Sequence, residues 1–155
     1  MIPPGTLDRF AAVPDELLAV CAPHAWDALT SPPAEGLRSI RDILVHMVGA
    51  EQRWIHHVIS GSQPRMRDRP QDFGDLERIR HLWRPQRAAT VTLARALTAE
   101  EWRSSRPLHF DPARTARVDE IFLHVVTHEQ YHRGQIFTRL ALLGRLDLPD
   151  LDLLR

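Results

Sequence analysis

His124-Val125-Val126-Thr127-His128-Glu129-Gln130-Tyr131-His132-Arg133-Gly134-Gln135-Ile136 is the stretch from which the fold of this chain reads outward. Around it, Ile121, Val125, Ile136, Leu140 and Leu143 recur at helical spacing. The pattern predicts one long helix from about Arg117 to Leu143, closed by Gly144, the residue type favoured just past a helix C-terminus. His128 and His132 fall inside the apolar stripe, one turn apart, and residues at i and i+4 share a helix face. Two imidazoles therefore point to the side that should face a core.

Three more helices read out upstream. A first is expected from about Thr6 to Cys21, with Thr6 as N-cap and Pro14 as a kink or restart. A loop holding Pro23, Pro32 and Pro33 runs on to Gly36. The second helix spans Ile40 to about Ser60 and stops at Gly61; Ser39 with Asp42 forms a capping-box-like start. A polar loop, Gln63 to Gly74, leads to a third helix from about Asp75 to Leu97, with Pro85 a kink. Thr98 with Glu101 opens a short turn, and Arg106 to Arg114 reads as a loop. The Leu-rich tail from Leu146 to Arg155 should pack back as a strap. No strand-like alternation of any length is present, so the expectation is an all-α four-helix bundle forming one domain over residues 1–155.

Composition narrows the function classes. The 155 residues carry no formal net charge, which argues against a nucleic-acid partner; Arg65, Arg67 and Arg69 read as a solvated loop. No apolar run approaches the ~18 residues of a membrane span. The first residues lack a basic region followed by an apolar one, so a cytoplasmic location without signal peptide is expected. All 20 basic residues are Arg, which excludes lysine chemistry. The single cysteine, Cys21, excludes an intramolecular disulfide and reads as a small buried apolar side chain. Nine histidines are the feature left to explain.

Burying a polar group without a partner costs on the order of 1–3 kcal/mol. Two stacked imidazoles on a core face therefore need either hydrogen-bond partners or a metal, for which i, i+4 histidines are suitable ligands. A third ligand would come from another helix. His46 sits in the most apolar stretch of the second helix but toward the edge of its stripe; His124 competes. Each helical residue advances ~100°, so three rings at i, i+4 and i+8 do not readily close on one ion, and His124 reads as a supporting or core residue. His24, His56, His57, His81 and His109 read as solvated or capping.

His128-Glu129-Gln130-Tyr131-His132 is literally H-E-x-x-H, in which a zinc peptidase uses the Glu as general base. The continuation fails: Gly134 is one position early, Thr138 stands where a third His belongs, and no Glu follows Glu129. A wider pattern fits better. Ile40 to Met47 followed by Ala50-Glu51 and Trp54, the block His124 to Ile136, Leu143-Gly144 and the Asp-Leu-Asp-Leu-Leu tail together resemble the DinB/YfiT-like family. The resemblance implies a four-helix bundle and a divalent transition metal, zinc or nickel above all, on His46, His128 and His132. It implies either metal-dependent hydrolysis or transfer of a low-molecular-weight thiol, in a stress or detoxification setting.

Three neutral imidazoles leave the charge of such an ion uncompensated and a position open, where water is acidified or a thiolate bound. The expected partners are thus a small-molecule substrate and a low-molecular-weight thiol; apolar helix faces and the family resemblance imply a homodimer. Glu129 is the candidate catalytic residue, as base or water-orienting group, with an ordinary polar helix position as the alternative. Glu51 is expected to bond a ligand or an Arg; Arg133 and Gln135 line the pocket or a thiol's carboxylates, or Arg133 makes a surface ion pair. Tyr131 reads as packing or as a substrate hydrogen-bond donor. A non-catalytic metal-binding stress protein remains the competing class.

Overall fold

A computed structural model describes residues 4–62, 69–108 and 110–150. Four long helices build the bundle, in chain order α1 (Pro4–Cys21), α3 (Ile40–Glu51, continued by the π-helical segment Gln52–Ile59), α4 (Leu76–Ala96) and α6 (Val118–Leu142). Two short helices, α2 (Trp26–Thr30) and α5 (Ala99–Arg103), sit in connections, and a 3₁₀ turn covers Pro70–Asp72.

The starts of these helices follow from their sequences. Ser39 Oγ accepts from Asp42 N at 3.1 Å while Asp42 Oδ2 accepts from Ser39 N at 3.4 Å, the reciprocal box that satisfies two backbone donors at the helix start. Thr98 and Glu101 repeat the device at α5. Asp75 caps α4 by accepting from Arg78 N at 2.7 Å. At the far end of α6, Gly144 takes φ +90°, the left-handed conformation in which a side chain would clash.

Several expectations are corrected in detail. Thr6 is not a cap, because α1 is already helical from Pro4, and Pro14 is carried inside it. The second helix keeps its length but changes type: after Glu51 it widens into a π-helix. The loop expected over Arg106 to Arg114 contains an antiparallel hairpin, β1 (Ser105–Leu108) with β2 (Asp111–Arg117), Ser105 facing Arg117. Its exposed, arginine- and proline-bearing strands lack the alternation that marks a half-buried strand, so backbone pairing alone carries it. Of the tail, Leu148 packs against the core as a strap would; residues 151–155, Arg65, Arg67 and His109 lie outside the described residues.

The interior is layered. One apolar cluster joins Leu17, Leu18, Leu29, Ile43, Leu44, Met47, Ile79, Trp83, Ile136 and Leu140. A second joins Phe10, Ile55, Val58, Val91, Trp102, Ile121, Phe122 and Val125. Along α3, α4 and α6 the residues between these clusters are polar and buried: Glu51, Arg87, Thr90, Glu129, His132 and Arg133. Cys21 is fully buried, and burial pushes its thiol up to about 12, as expected for an inert apolar side chain. Among the described residues no helix is long and apolar enough to cross a membrane.

Candidate metal centre

The polar layer holds two clusters. The first is built by α3 and α6, which pack together and bring His46 alongside His128 and His132. His46 Nε2 and His132 Nε2 each lie 3.1 Å from His128 Nε2, and one nitrogen from each ring falls within 4.8 Å of the others. The His46 ring centre is 5.0 Å from that of His128 and 4.8 Å from that of His132, with the planes steeply inclined.

Three imidazoles cannot satisfy one another in this arrangement. An imidazole nitrogen has a single in-plane position, either a proton or a lone pair. His128 Nε2 meets two nitrogens, so at most one of the two contacts is a good hydrogen bond. Gln135 fixes the third ring: its Oε1 faces His132 Nδ1 at 2.8 Å, which places the ring proton on Nδ1 and turns the Nε2 lone pair inward. Burial pushes His46 and His128 down to about 4, helped by Arg38, His132 and Arg53 at His46 and by the other histidines at His128. Burial lowers His132 as well. The rings are held neutral, with lone pairs converging. A divalent ion fits that donor set: zinc–imidazole bonds of ~2.05 Å put neighbouring nitrogens about 3.3 Å apart in a tetrahedron.

One side of the cluster is aromatic. His124 is exposed rather than in the core; its ring stands 5.6 Å from His128 and edge-on to Trp54 at 4.7 Å. Trp54 in turn meets Phe110 of the hairpin turn at 5.9 Å. The sequence offered no signal for Phe110, since the hairpin that carries it was not legible. Tyr131 is 64% exposed, which excludes a core-packing role, and its hydroxyl accepts from Gln135 Nε2 at 2.9 Å.

The second cluster is closed. Arg87 Nε donates to Glu51 Oε1 at 3.0 Å, Nη2 donates to Glu51 Oε2 at 3.1 Å and to Glu129, and Nη1 donates to the Phe10 carbonyl. Trp83 Nε1 and Thr90 Oγ1 complete the Glu51 carboxylate at 2.9 and 2.6 Å, and the guanidinium lies 3.6 Å over the Phe10 ring. Burial alone would raise Glu51, but Arg87 and these hydrogen bonds hold it below its ordinary range. Glu129 is raised, because burial and the Glu51 charge outweigh its share of Arg87. Glu51 thus bonds an Arg, as one of its expected roles had it. Arg133 is buried rather than on the helix surface, and Glu129 is turned onto Arg87 rather than hydrogen-bonded to any of the three histidines. Arg87 itself escaped the sequence reading, since an arginine in a helix with Pro85 and many polar neighbours looks exposed.

The comparisons with known proteins point one way. Residues 6–154 match the DinB family model. No curated protein matches the chain. Among solved structures, a DinB-like protein from Bacillus cereus superposes with a TM-score of 0.72 at 16% identity, covering 94% of each chain. YfiT from Bacillus subtilis, described as a probable metal-dependent hydrolase with an unusual four-helix bundle topology, gives 0.71 at 13% identity over 90% of this chain and 86% of that one. The DinB-like YjoA from Bacillus subtilis gives 0.69 at 15% identity over 95% and 97%. With a family match running over almost its whole length and a helical bundle shared with these proteins, the chain belongs to the DinB family.

Proposed function

We propose that His46, His128 and His132 hold one divalent transition metal, zinc or nickel, and that the protein uses it to transfer a low-molecular-weight thiol to a small electrophile. The observation that carries the metal is the convergence of three neutral imidazole nitrogens, two pairs at 3.1 Å, with no partner arrangement that satisfies all three. A metal held there supplies a Lewis acid that favours thiolate over thiol.

The surrounding residues support this chemistry. Among the described residues the cluster contains no carboxylate, and Glu129 is committed to Arg87. A general base is what water-dependent cleavage of the H-E-x-x-H type requires; a thiol ionises far more readily and loses its proton to solvent unaided. The sulfur then forms the new S–C bond while the leaving group departs with its bonding pair. Arg38 and Arg139 bear electrostatically on His132, and Arg38 and Arg53 on His46, a positive setting suited to a carboxylate-bearing thiol. Trp54 and Phe110 offer an apolar wall to the electrophile. Gln135 is a positioning residue, since it orients His132. Glu129 acts at most through Arg87 as part of the scaffold.

Hydrolysis is the second reading, favoured by the description of YfiT as a probable metal-dependent hydrolase. The test loads the protein with zinc or nickel and offers small thiols with an alkylating electrophile, and esters separately, following products by mass spectrometry. Metal-dependent S-conjugates, lost in His128→Ala and retained in Glu129→Gln, are expected. Ester cleavage without thiol consumption would replace thiol transfer by hydrolysis, and loss of turnover in a folded Glu129→Gln would restore that residue as the base.

A further inference from the structure

A cavity of about 300 Å³ opens between the π-helical segment and α4, apart from the histidine cluster. That size sits at the lower end of small-molecule sites, which run from about 300 to 1,000 Å³. Leu82, Pro85 and Ala89 of α4 form its apolar wall, and His56, Ser62 and Gln86 supply polar atoms. The π-helical segment supplies the facing side. Its turns are wider than those of an α-helix and carry i to i+5 hydrogen bonds, one of which continues at its end from Ser60 N to the Ile55 carbonyl at 3.2 Å. Gln52 and His56, four residues apart, line the same cavity. Such segments are rare and recur frequently at functional sites.

The hydrogen bonds at its floor assign the protons. Thr90 Oγ1 lies 2.6 Å from Glu51 Oε1, 3.2 Å from the Gln86 carbonyl and 3.0 Å from His56 Nε2. Glu51 is held ionised by Arg87 and has no proton to give. The single Thr90 hydroxyl proton therefore goes to Glu51, along the shorter and charge-assisted bond. Thr90 Oγ1 must then accept from His56, which puts the proton of the neutral ring on Nε2. Nδ1 is left with its lone pair, and nothing among the described residues donates to it. Gln86 is oriented in the same way: its Nε2 donates to the Val48 carbonyl at 2.9 Å, so Oε1 is its remaining acceptor. Pro85 has no N–H to give the His81 carbonyl, which leaves a further acceptor beside the cavity.

We infer that this cavity is a second small-molecule site, separate from the metal centre, and that it takes a primary carboxamide carried on a small apolar body. The amide NH2 group has two protons for the acceptors His56 Nδ1 and Gln86 Oε1, and its carbonyl oxygen accepts from the Ser62 hydroxyl. The apolar body covers Leu82, Pro85 and Ala89. A carboxylate fits poorly, because it only accepts and would meet acceptors, with no charged residue among the described ones lining the cavity to balance it. An ammonium group fits poorly too. The nearest carboxylate, Glu51, is already committed to Arg87, Trp83 and Thr90. Through Thr90 the site touches the buried polar layer, yet none of its lining residues belongs to the histidine cluster, so it stands whether or not a metal is bound.

Benzamide is the probe, titrated into the full chain with and without added zinc and followed by the ring-nitrogen resonances of isotope-labelled histidine. Before addition, neutral His56 should show a protonated Nε2 and an unprotonated Nδ1. Benzamide should then move the His56 Nδ1 resonance with a Kd on the order of 1 mM, ordinary for so small a ligand, and equally in both samples. Benzoate over the same range should leave it in place. Ala89→Phe fills the cavity from an exposed position and should weaken benzamide at least about tenfold without lowering the unfolding temperature. A His56 ring protonated on Nδ1 instead, a His56 resonance indifferent to benzamide, or movement confined to His46, His128 and His132 would overturn the inference. So would benzoate binding as well as benzamide, or a folded Ala89→Phe that binds like the parent.

Discussion

The histidine cluster and the Arg87 cluster lie at the same height of the bundle, on neighbouring turns of α3 and α6, yet one is open and the other complete. Around Arg87 every strong donor finds an acceptor, and Glu51 is saturated from Trp83, Thr90 and Arg87. Around His128 the nitrogens converge without enough protons to satisfy them, and the residues are partly exposed at His46 and His128. A buried polar group that is fully bonded stabilises the structure it sits in; one left short points to something that binds. The difference lets two polar clusters of similar composition be given different roles. Arg87 holds the layer together, and the histidines are left short at the point where a metal would complete them.

The contrast can be broken by substitution. Arg87→Leu leaves two carboxylates buried without their counter-charge and should lower stability by about 3–5 kcal/mol in chemical denaturation. Replacing Glu51 and Glu129 by Leu as well should recover most of that loss; no recovery would mean that the cluster does more than balance charge. Gln135→Leu removes the group that sets the His132 ring and should weaken metal binding about 10–100-fold with little change in the stability of the metal-free protein. A large loss of fold would instead place Gln135 with the structural cluster.

Acid separates the two clusters further. Folding holds His46 and His128 at about 4 against 6.5 ordinarily, so below 6.5 the unfolded chain takes up protons that the folded chain refuses. Metal-free stability should be full above pH 6.5 and decline as pH falls toward about 4. His46→Gln with His128→Gln should flatten that decline, as followed by urea titration across the range. The smallest effect is local: Ser39→Ala should cost about 1 kcal/mol through the lost cap on α3, leaving metal content unchanged.

Much of this was legible in the sequence for reasons that differ between the clusters. Helix periodicity, with the signals at Ser39 and Gly144, placed the four long helices to within about two residues, and Thr98 marked the start of the short α5. His128 and His132 announced themselves by lying on an apolar stripe. His46 did not, being at the stripe's edge, and needed the family pattern to be singled out. The Arg87 cluster was half visible: Glu51 sat on an apolar face, but its partner lies 36 residues away, and no local pattern encodes a contact between helices. Glu129 was misleading for the same reason, since its neighbour in sequence is His128 while its neighbour in space is Arg87. The hairpin and the π-helical segment depend on backbone pairing rather than side-chain pattern, and left no trace in either period.

The most direct test is the metal content of the tag-free protein beside that of His128→Ala, measured by mass spectrometry after exposure to zinc and nickel. One ion per chain in the parent and almost none in a folded His128→Ala is the predicted result. A parent that stays metal-free after reconstitution, or a variant that keeps its ion, would contradict the account, leaving the three histidines as no more than neighbours in a helical bundle.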